Sequence, residues 1–297
     1  MIKYLHHSEI NFQRWDTILE QSANTMPYAY SWYLNTLSPG WEALVADDYA
    51  AIMPLPYKRK YGVTYLIQPR FSQQLGIFSP QPLTQTLQQA FIKAIPYACY
   101  TLQCNYANTA IGGVAQPNLL LSLKAKYTDI AARYDHNTRR NLLQAQQAQL
   151  QIKRITSTEC VNFWEQQPLN QQLGVPVAAD LHKIATAAET HGIGNFYGVY
   201  LTNGDLVASL MTLQTAQRII YLAPASSSRG KQVRAMFLLV DTLIRHYADH
   251  NILFDFEGSR IDGVARFYQG FGAYNEPYYC ISRNRPQWLV NLLHRKQ

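Results

Sequence analysis

A short basic segment between a predicted strand and a predicted helix has the residue types that bind an anion. It runs from Ser226 to Ala235, reads SSSRGKQVRA and contains three cations. A helix N-terminus has unpaired N–H groups and a partial positive charge, so acidic residues are usually preferred there. Cations at this position indicate an anion, and a pyrophosphate would satisfy the amides, the serines and the cations together. A solvated basic loop is the alternative.

We expect the helix to begin near Gln232 and to direct its unpaired amides at the anion. The candidate anion-binding residues are Ser228, Arg229, Gly230, Lys231, Gln232, Arg234 and Ala235. Arg139 and Arg140 lie in the first turn of another predicted helix, where they can bind an acidic group of a substrate or of the other half of the chain. Simple exposure to solvent is the alternative for this pair.

Two carboxylates, Asp255 and Glu257, close a predicted strand at residues 252–256. Because side chains alternate along a strand, both are expected on one face. A carboxylate there can accept a proton from a reacting group, directly or through water. The alternative is a structural pair that caps Gly258–Ser259 or binds Arg266. We favour the structural role for Asp255, and both roles stay open for Glu257.

Hydrophobic periodicity predicts the elements that position these residues. In the first half, helices are expected at 11–21 and 83–95, and strands at 42–46, 50–55, 63–67, 98–104 and 118–123. In the second half, helices are expected at 135–150, 158–166, 180–191, 235–248 and 263–271, and strands at 151–155, 195–201, 206–213, 218–223, 252–256 and 277–282. Loops are expected at 168–176 and 225–231. A helical crossover makes strand 252–256 parallel to strand 218–223, and such a pair leaves a crevice at its carboxyl ends.

Composition excludes several classes of protein. The 297 residues are 47% apolar and 15% charged, which excludes a disordered chain and suffices for one large or two medium domains. The net charge of +7 is spread as +4 over residues 1–150 and +3 over the rest. Spread charge argues against a dedicated duplex-DNA binder but suits an anionic ligand.

The cysteine pattern and the lengths of the apolar runs indicate in which compartment the protein is expected. The four cysteines form no CxxC or Cys/His pattern, so reduced core thiols and no metal site are expected. No apolar run approaches the ~20 residues of a membrane helix. The first residues also lack the apolar stretch of a signal peptide, so we expect a cytoplasmic protein without a membrane span.

The order of the elements and three segments resemble a known fold. DFEGS at Asp255–Ser259, followed by GVARFYQGFG at Gly263–Gly272, resembles the GNAT acyl-CoA-dependent N-acyltransferases. TRRNLLQA at Thr138–Ala145 resembles the arginine-led helix before the second domain of the Fem-like group, a tandem relative of the GNAT fold. Similarity between 46–53 and 201–210 supports a degenerate first copy. The resemblance implies an α+β fold of two GNAT-like domains, 1–134 and 135–297. Each is a mixed, mostly antiparallel sheet flanked by helices.

The resemblance also implies roles for individual residues. The basic segment would hold the pyrophosphate of coenzyme A through an Arg/Gln-x-x-Gly-x-Gly/Ala pattern. Ala235 matches its last position and Gly230 stands at its first, whereas Val233 stands where the middle glycine is expected. Tyr268 would protonate the departing thiolate, and a tyrosine packed under the sheet is the alternative. From its place at the strand end, Glu257 could accept the proton of the attacking amine. The candidate substrate-binding residues are Arg139, Arg140 and Ser259.

The implied reaction moves an acyl group from acetyl-CoA or another acyl-CoA to a small-molecule or peptide amine, without a metal. Fem-like peptidyltransferases that use aminoacyl-tRNA carry a lysine in a Phe-Lys-x-x-Phe-Gly pattern, where this chain has Tyr268. Transfer RNA is therefore a partner only under the alternative of an aminoacyl-tRNA-dependent peptidyltransferase. A non-catalytic ligand-binding protein is a third alternative, which Val233 favours.

Overall fold

The computed structural model describes residues 1–258 and 261–284. These residues form two compact units. The first unit is Met1–Gln116 together with the chain from Pro277, and the second unit is Pro117–Glu276. This division differs from the boundary expected at 134/135. The reason is strand pairing: residues 119–122 pair within the second unit, and residues 278–284 pair within the first.

The strands, in chain order, are β1 (Ile2–Leu5), β2 (Glu42–Ala46), β3 (Ala51–Leu55), β4 (Tyr57–Lys60), β5 (Val63–Ile67), β6 (Cys99–Cys104), β7 (Val114–Gln116), β8 (Leu119–Ser122), β9 (Gln151–Arg154), β10 (Gly194–Tyr200), β11 (Leu206–Gln214), β12 (Arg218–Ser226), β13 (Leu253–Asp255), β14 (Tyr274–Asn275) and β15 (Tyr278–Asn284). The α-helices are α1 (Phe12–Gln21), α2 (Ser31–Leu37), α3 (Gln85–Ala94), α4 (Tyr127–Ala131), α5 (His136–Gln147), α6 (Ser157–Glu165), α7 (Pro168–Gln171), α8 (Val175–Thr190), α9 (Ser228–Gln232), α10 (Ala235–Tyr247) and α11 (Asp262–Gly270). Short 3₁₀ turns lie at His7–Glu9 and Pro27–Ala29.

The first unit contains an antiparallel sheet in the order β1-β2-β3 and a mixed sheet in the order β4-β5-β6-β15-β7. Residues 75–78 link them, since Phe78 pairs with Ile52 of β3 and Leu75 pairs in parallel with Cys104 of β6. The helix α3 connects this linking segment to β6. A parallel crossover therefore follows antiparallel strands in this unit.

The second unit repeats this layout in one seven-stranded sheet, in the order β14-β8-β13-β12-β11-β10-β9. Its strands β9 to β12 are antiparallel neighbours, and β12 and β13 are the parallel pair that the sequence predicted. The crossover between them passes through α9 and α10, and α10 packs against α5, β10 and β11. The fold class is confirmed as mixed α+β, with mostly antiparallel sheets flanked by helices.

Two of the sequence predictions in the second half are wrong. The expected loop at 225–231 contains α9, because Ser227 caps a short helix by accepting the Gly230 N–H at 3.1 Å. The expected loop at 168–176 likewise contains α7 and the start of α8. The last strand is present, but as β15 it pairs with β6 and β7 of the first unit.

Candidate active site

A cavity of about 990 Å³ lies in the second unit, beside the part of β12 that continues past its pairing with β13. The parallel pairing ends at Ile220 and Asp255, whereas β12 continues to Ser226. Five elements besides β12 contribute to the wall: α7, α9, α10, α11 and the first turn of α5 with its capping residue. A crevice at the carboxyl end of a parallel pair is where open sheets bind ligands.

The basic segment borders this cavity, and the helix that follows it begins at Ala235, as the hydrophobic periodicity predicted, and not near Gln232. Gln232 belongs to α9, and the chain turns at Arg234, whose φ of +59° is left-handed, before α10 begins at Ala235. Phe237 N–H bonds the Arg234 carbonyl at 3.0 Å. Within the part of the chain that the structure describes, the amides of Ala235 and Met236 have no backbone acceptor. The unpaired donors are therefore those of Ala235 and Met236, in the first turn of α10.

The predicted anion-binding residues separate into two groups. Those that line the cavity are Ser228, Gly230, Lys231 and Arg234. Arg229 donates from Nη1 to Oε1 of Gln232 at 3.2 Å, and neither residue lines the cavity. Ala235 is fully buried beneath the turn. The cavity therefore has two cations of the basic segment, Lys231 and Arg234, on its wall.

Packing explains which residues occupy two positions of the expected glycine pattern, Gly230 and Val233. A Cβ on Gly230 would lie 2.1 Å from the carbonyl oxygen of Val207, so only glycine allows α9 to approach β11 this closely. Val233 ends α9 and is buried in the core with Leu239 of α10. The segment therefore follows a two-helix path, in which a side chain at Val233 packs in the core.

Arg234 is held in place by the neighbouring helix α5. Its Nε donates to Oε1 of Gln144 at 3.2 Å, and its Nη1 donates to the Lys231 carbonyl at 3.2 Å. Nε2 of Gln144 in turn donates to the Gln232 carbonyl at 3.1 Å. These bonds fix the turn that presents Arg234 and Lys231 to the cavity.

Tyr268 lines the cavity on α11 and is only 6% exposed. Its ring stacks on Phe256 at 4.7 Å and meets Tyr221 edge-on at 5.7 Å. Burial first, and then the charge of Glu257, raise the pKa of the Tyr268 phenol well above its ordinary value. A phenol in this environment keeps its proton throughout the neutral range.

The prediction that Asp255 and Glu257 share one strand face is wrong. The strand β13 ends at Asp255, and Glu257 has a left-handed φ of +56°, which breaks the alternation. Asp255 is 1% exposed, binds Nη1 of Arg218 at 2.5 Å and accepts the Glu257 N–H at 2.8 Å. Asp255 thus has the structural role that the sequence favoured, although its cation is Arg218 rather than Arg266. Glu257 is half-buried and not on the cavity wall, but its charge reaches Tyr268.

The predicted substrate-binding arginines lie outside the cavity wall. Arg139 donates to the Ala132 carbonyl at 2.7 Å and Arg140 to Oδ1 of Asn137 at 3.0 Å, and both are exposed. The third candidate, Ser259, lies outside the described residues. Of this group, the structure therefore places Arg139 and Arg140 away from the cavity wall.

Sequence reasoning missed much of the cavity wall. The helix α7 contributes Leu169 and Asn170, and the first turn of α5 contributes Asp135 and Asn137. Phe237 and Phe267 meet across the wall at 4.7 Å. Pro224 near the end of β12 was an available signal, because proline interrupts the donor ladder of a strand. The other residues come together only through tertiary packing.

The described residues contain neither a metal-binding cluster nor a membrane-spanning helix. No group of three or more His, Cys, Asp or Glu side chains there is arranged to hold a metal ion. None of the helices in residues 1–258 and 261–284 combines the length and apolar character needed to cross a bilayer.

Comparison with known proteins gives one match to a family model and several structures with a similar fold. Residues 132–269 match a family model described as an acetyltransferase (GNAT) domain. The crystal structure of FemX has a TM-score of 0.72 and 11% identity, covering 98% of this chain and 100% of that chain. The C-terminal domain (DUF2156) of a putative lysylphosphatidylglycerol synthetase from Agrobacterium fabrum has a TM-score of 0.60 and 12% identity, covering 95% and 94%. No curated protein sequence matches this chain.

A further similar structure is an acetyltransferase of the GNAT family from Colwellia psychrerythraea. Its TM-score is 0.51 at 13% identity, with 94% of this chain and 98% of that chain covered. Identities this low show a shared fold alone, whereas the family model matches the segment that carries the cavity. Residues 132–269 therefore match a GNAT acetyltransferase domain, and the fold of the chain is similar to that of FemX.

Proposed function

We propose that the chain is an N-acyltransferase that binds an acyl-CoA in the cavity of the second unit and transfers the acyl group to an amine. One observation carries the proposal: a single cavity in the GNAT domain is bordered by Lys231, Arg234 and the buried phenol of Tyr268. Cations and unpaired amides suit a diphosphate, and the apolar wall suits the uncharged arm of the donor.

The donor fits the residues that are present. The amide of Met236, with the Ser228 hydroxyl, offers donors to phosphate oxygens, and Lys231 and Arg234 offer charge. Phe237 and Phe267 provide an apolar surface on the same wall. When bound, the acyl-CoA supplies a thioester whose C–S bond breaks as the amine forms a C–N bond.

In this proposal, Tyr268 donates its proton to the sulfur as the C–S bond breaks, and its raised pKa ensures that the phenol carries that proton before the step. Glu257 accepts the proton of the attacking amine through water, since it is not on the cavity wall itself. Holding both reactants in one cavity lowers the entropic part of the barrier.

The direct test is isothermal titration of the protein with acetyl-CoA. We expect saturable binding and a matching rise in Tm for the wild type. Val264→Trp should weaken binding at least about tenfold, because the indole would fill the cavity that Val264 lines. Val114→Trp, at an exposed valine of the first unit, is the matched control. Neither heat nor a Tm shift at millimolar acetyl-CoA would contradict the proposal.

A second candidate is an aminoacyl-tRNA-dependent transferase. It is favoured by the similarity of the chain's fold to FemX over 98% of its length, first unit included. The lysine of the Fem-like pattern is replaced by Tyr268, which supports acyl-CoA instead. Tight, strongly salt-dependent binding of transfer RNA, together with no binding of acetyl-CoA, would favour this candidate.

A further inference from the structure

Three large aliphatic side chains are exposed within one short segment of the chain, and the first of them, Leu169, lines the cavity. Leu169, Leu173 and Val175 are 66%, 54% and 82% exposed. They lie on Gln167–Pro176, which we call the apolar turn. Single exposed hydrophobic residues are ordinary, but three within one turn form a patch that needs a partner.

Hydrogen bonds hold the apolar turn firmly against α6. Nε2 of Gln167 donates to the Phe163 carbonyl at 2.8 Å, and Nδ2 of Asn170 donates to the Trp164 carbonyl at 2.8 Å. Both acceptors belong to buried residues of α6. These bonds hold the part of the turn that carries Leu169 against α6.

The charges around the apolar turn are complementary to an anionic surface. No charged residue occurs between Gln166 and Ala179, so the turn itself has no carboxylate that would repel anions. Leu169 lines the same cavity as Lys231, Arg234 and Arg266. Aliphatic side chains beside cations are the combination that binds the interface of an anionic bilayer.

We propose that the apolar turn docks the protein on the surface of an anionic lipid bilayer and brings the cavity mouth to that surface. Three aliphatic side chains cannot supply the roughly 800 Å² per partner that a stable protein interface buries. A second copy of the chain is disfavoured because each copy has a net charge of +7. The proposal goes beyond acyl transfer and does not depend on it.

Vesicle co-sedimentation tests the proposal with the full chain. We expect the wild type to sediment with vesicles of phosphatidylcholine and phosphatidylglycerol, and much less with phosphatidylcholine alone. The variant Leu169→Glu/Leu173→Glu/Val175→Glu should bind the anionic vesicles at least about tenfold more weakly. High salt should also weaken wild-type binding, because cations contribute.

The matched control is Leu143→Glu, which changes a 61% exposed leucine on α5 in the same unit and should leave sedimentation unchanged. A milder variant, Leu169→Gln/Leu173→Gln, should lower binding without added charge repulsion, and circular dichroism should show each variant folded. The proposal is overturned if the wild type stays in the supernatant with anionic vesicles, or if the Glu and Gln variants sediment as the wild type does. Titration with acetyl-CoA separately reports the donor site.

Discussion

The two units place different groups at the same point of a shared layout. In the first unit, the carboxyl ends of residues 75–78 and β6 are joined by buried asparagines. Asn108 Oδ1 accepts the Ile77 N–H at 2.7 Å, and the amides of Asn24 and Asn105 donate to the Ile77 carbonyl at 2.8 and 3.1 Å. In the second unit, the carboxyl end of β12 borders an open cavity. The repeated fold therefore does not repeat the chemistry.

The segments that precede the crossover helices also differ between the two units, because only the one in the second unit contains cations. Thr84 caps α3 by accepting the Leu87 N–H at 3.2 Å, and residues 79–84 contain no cation. The corresponding segment of the second unit has Arg229, Lys231 and Arg234. An anion site needs both unpaired donors and charge, so the comparison predicts a donor site in the second unit alone.

The largest effect should come from reversing the charge of that segment. Lys231→Glu/Arg234→Glu should raise the Kd for coenzyme A by on the order of a thousandfold, because two charge-assisted contacts are lost and repulsion is added. Isothermal titration measures it. Lys58→Glu/Arg59→Glu, in β4 of the first unit, is the matched reversal. If this control weakens binding as much, the assignment of the site to the second unit is wrong.

Removing the phenol of Tyr268 should have the next largest effect. Tyr268→Phe should lower kcat about a hundredfold at unchanged KM for the donor, the size expected for loss of a general acid. Thiol release with an amine that supports turnover measures it. Tyr221→Phe removes the neighbouring buried phenol of the same cavity and should keep kcat within about threefold. Equal losses of kcat in the two variants would contradict the assignment of Tyr268 as the proton donor.

In the first unit, Asn108→Ala should reduce stability rather than binding. It leaves the Ile77 N–H without its acceptor in a buried site, which costs about 2 kcal/mol. Urea unfolding should show the loss, while the Kd for coenzyme A stays the same. Reduced affinity at unchanged stability would mean that the asparagine group takes part in the donor site.

The smallest effect concerns pH. Because the pKa of Tyr268 is raised, its phenol stays protonated past the ordinary pKa of a tyrosine. The rate should therefore rise with pH as the acceptor amine loses its proton, without a decline assignable to Tyr268 below pH about 10. A pH–rate profile measures this. A decline between pH 8 and 9 that disappears in Tyr268→Phe would contradict it.

Local patterns in the sequence were enough to predict most elements. The helix α10 keeps Leu239, Val240 and Leu243 buried on one face, and the strands predicted at 195–201 and 206–213 are present as the antiparallel neighbours β10 and β11. The parallel pairing of β12 with β13 also followed, because a helical crossover leaves few alternatives.

Features that depend on distant partners could not be predicted. Nothing in residues 277–282 indicates that β15 pairs with Cys99–Cys104 of the first unit. Asp255, the last residue of its strand, binds Arg218 from another strand, and the left-handed φ of Glu257 breaks the alternation. Gly230 stood out as part of a phosphate pattern, but its identity is required by the Val207 carbonyl. The cavity residues of α5 and α7 likewise come from segments far apart in sequence.

Hydrogen–deuterium exchange with and without coenzyme A locates the donor site. We expect coenzyme A to slow exchange in residues 221–237 and 263–269, which border the cavity. Exchange in residues 75–78 and 104–108 of the first unit should not change. Protection of the first unit in place of the second, or protection of neither at saturating coenzyme A, would contradict the account.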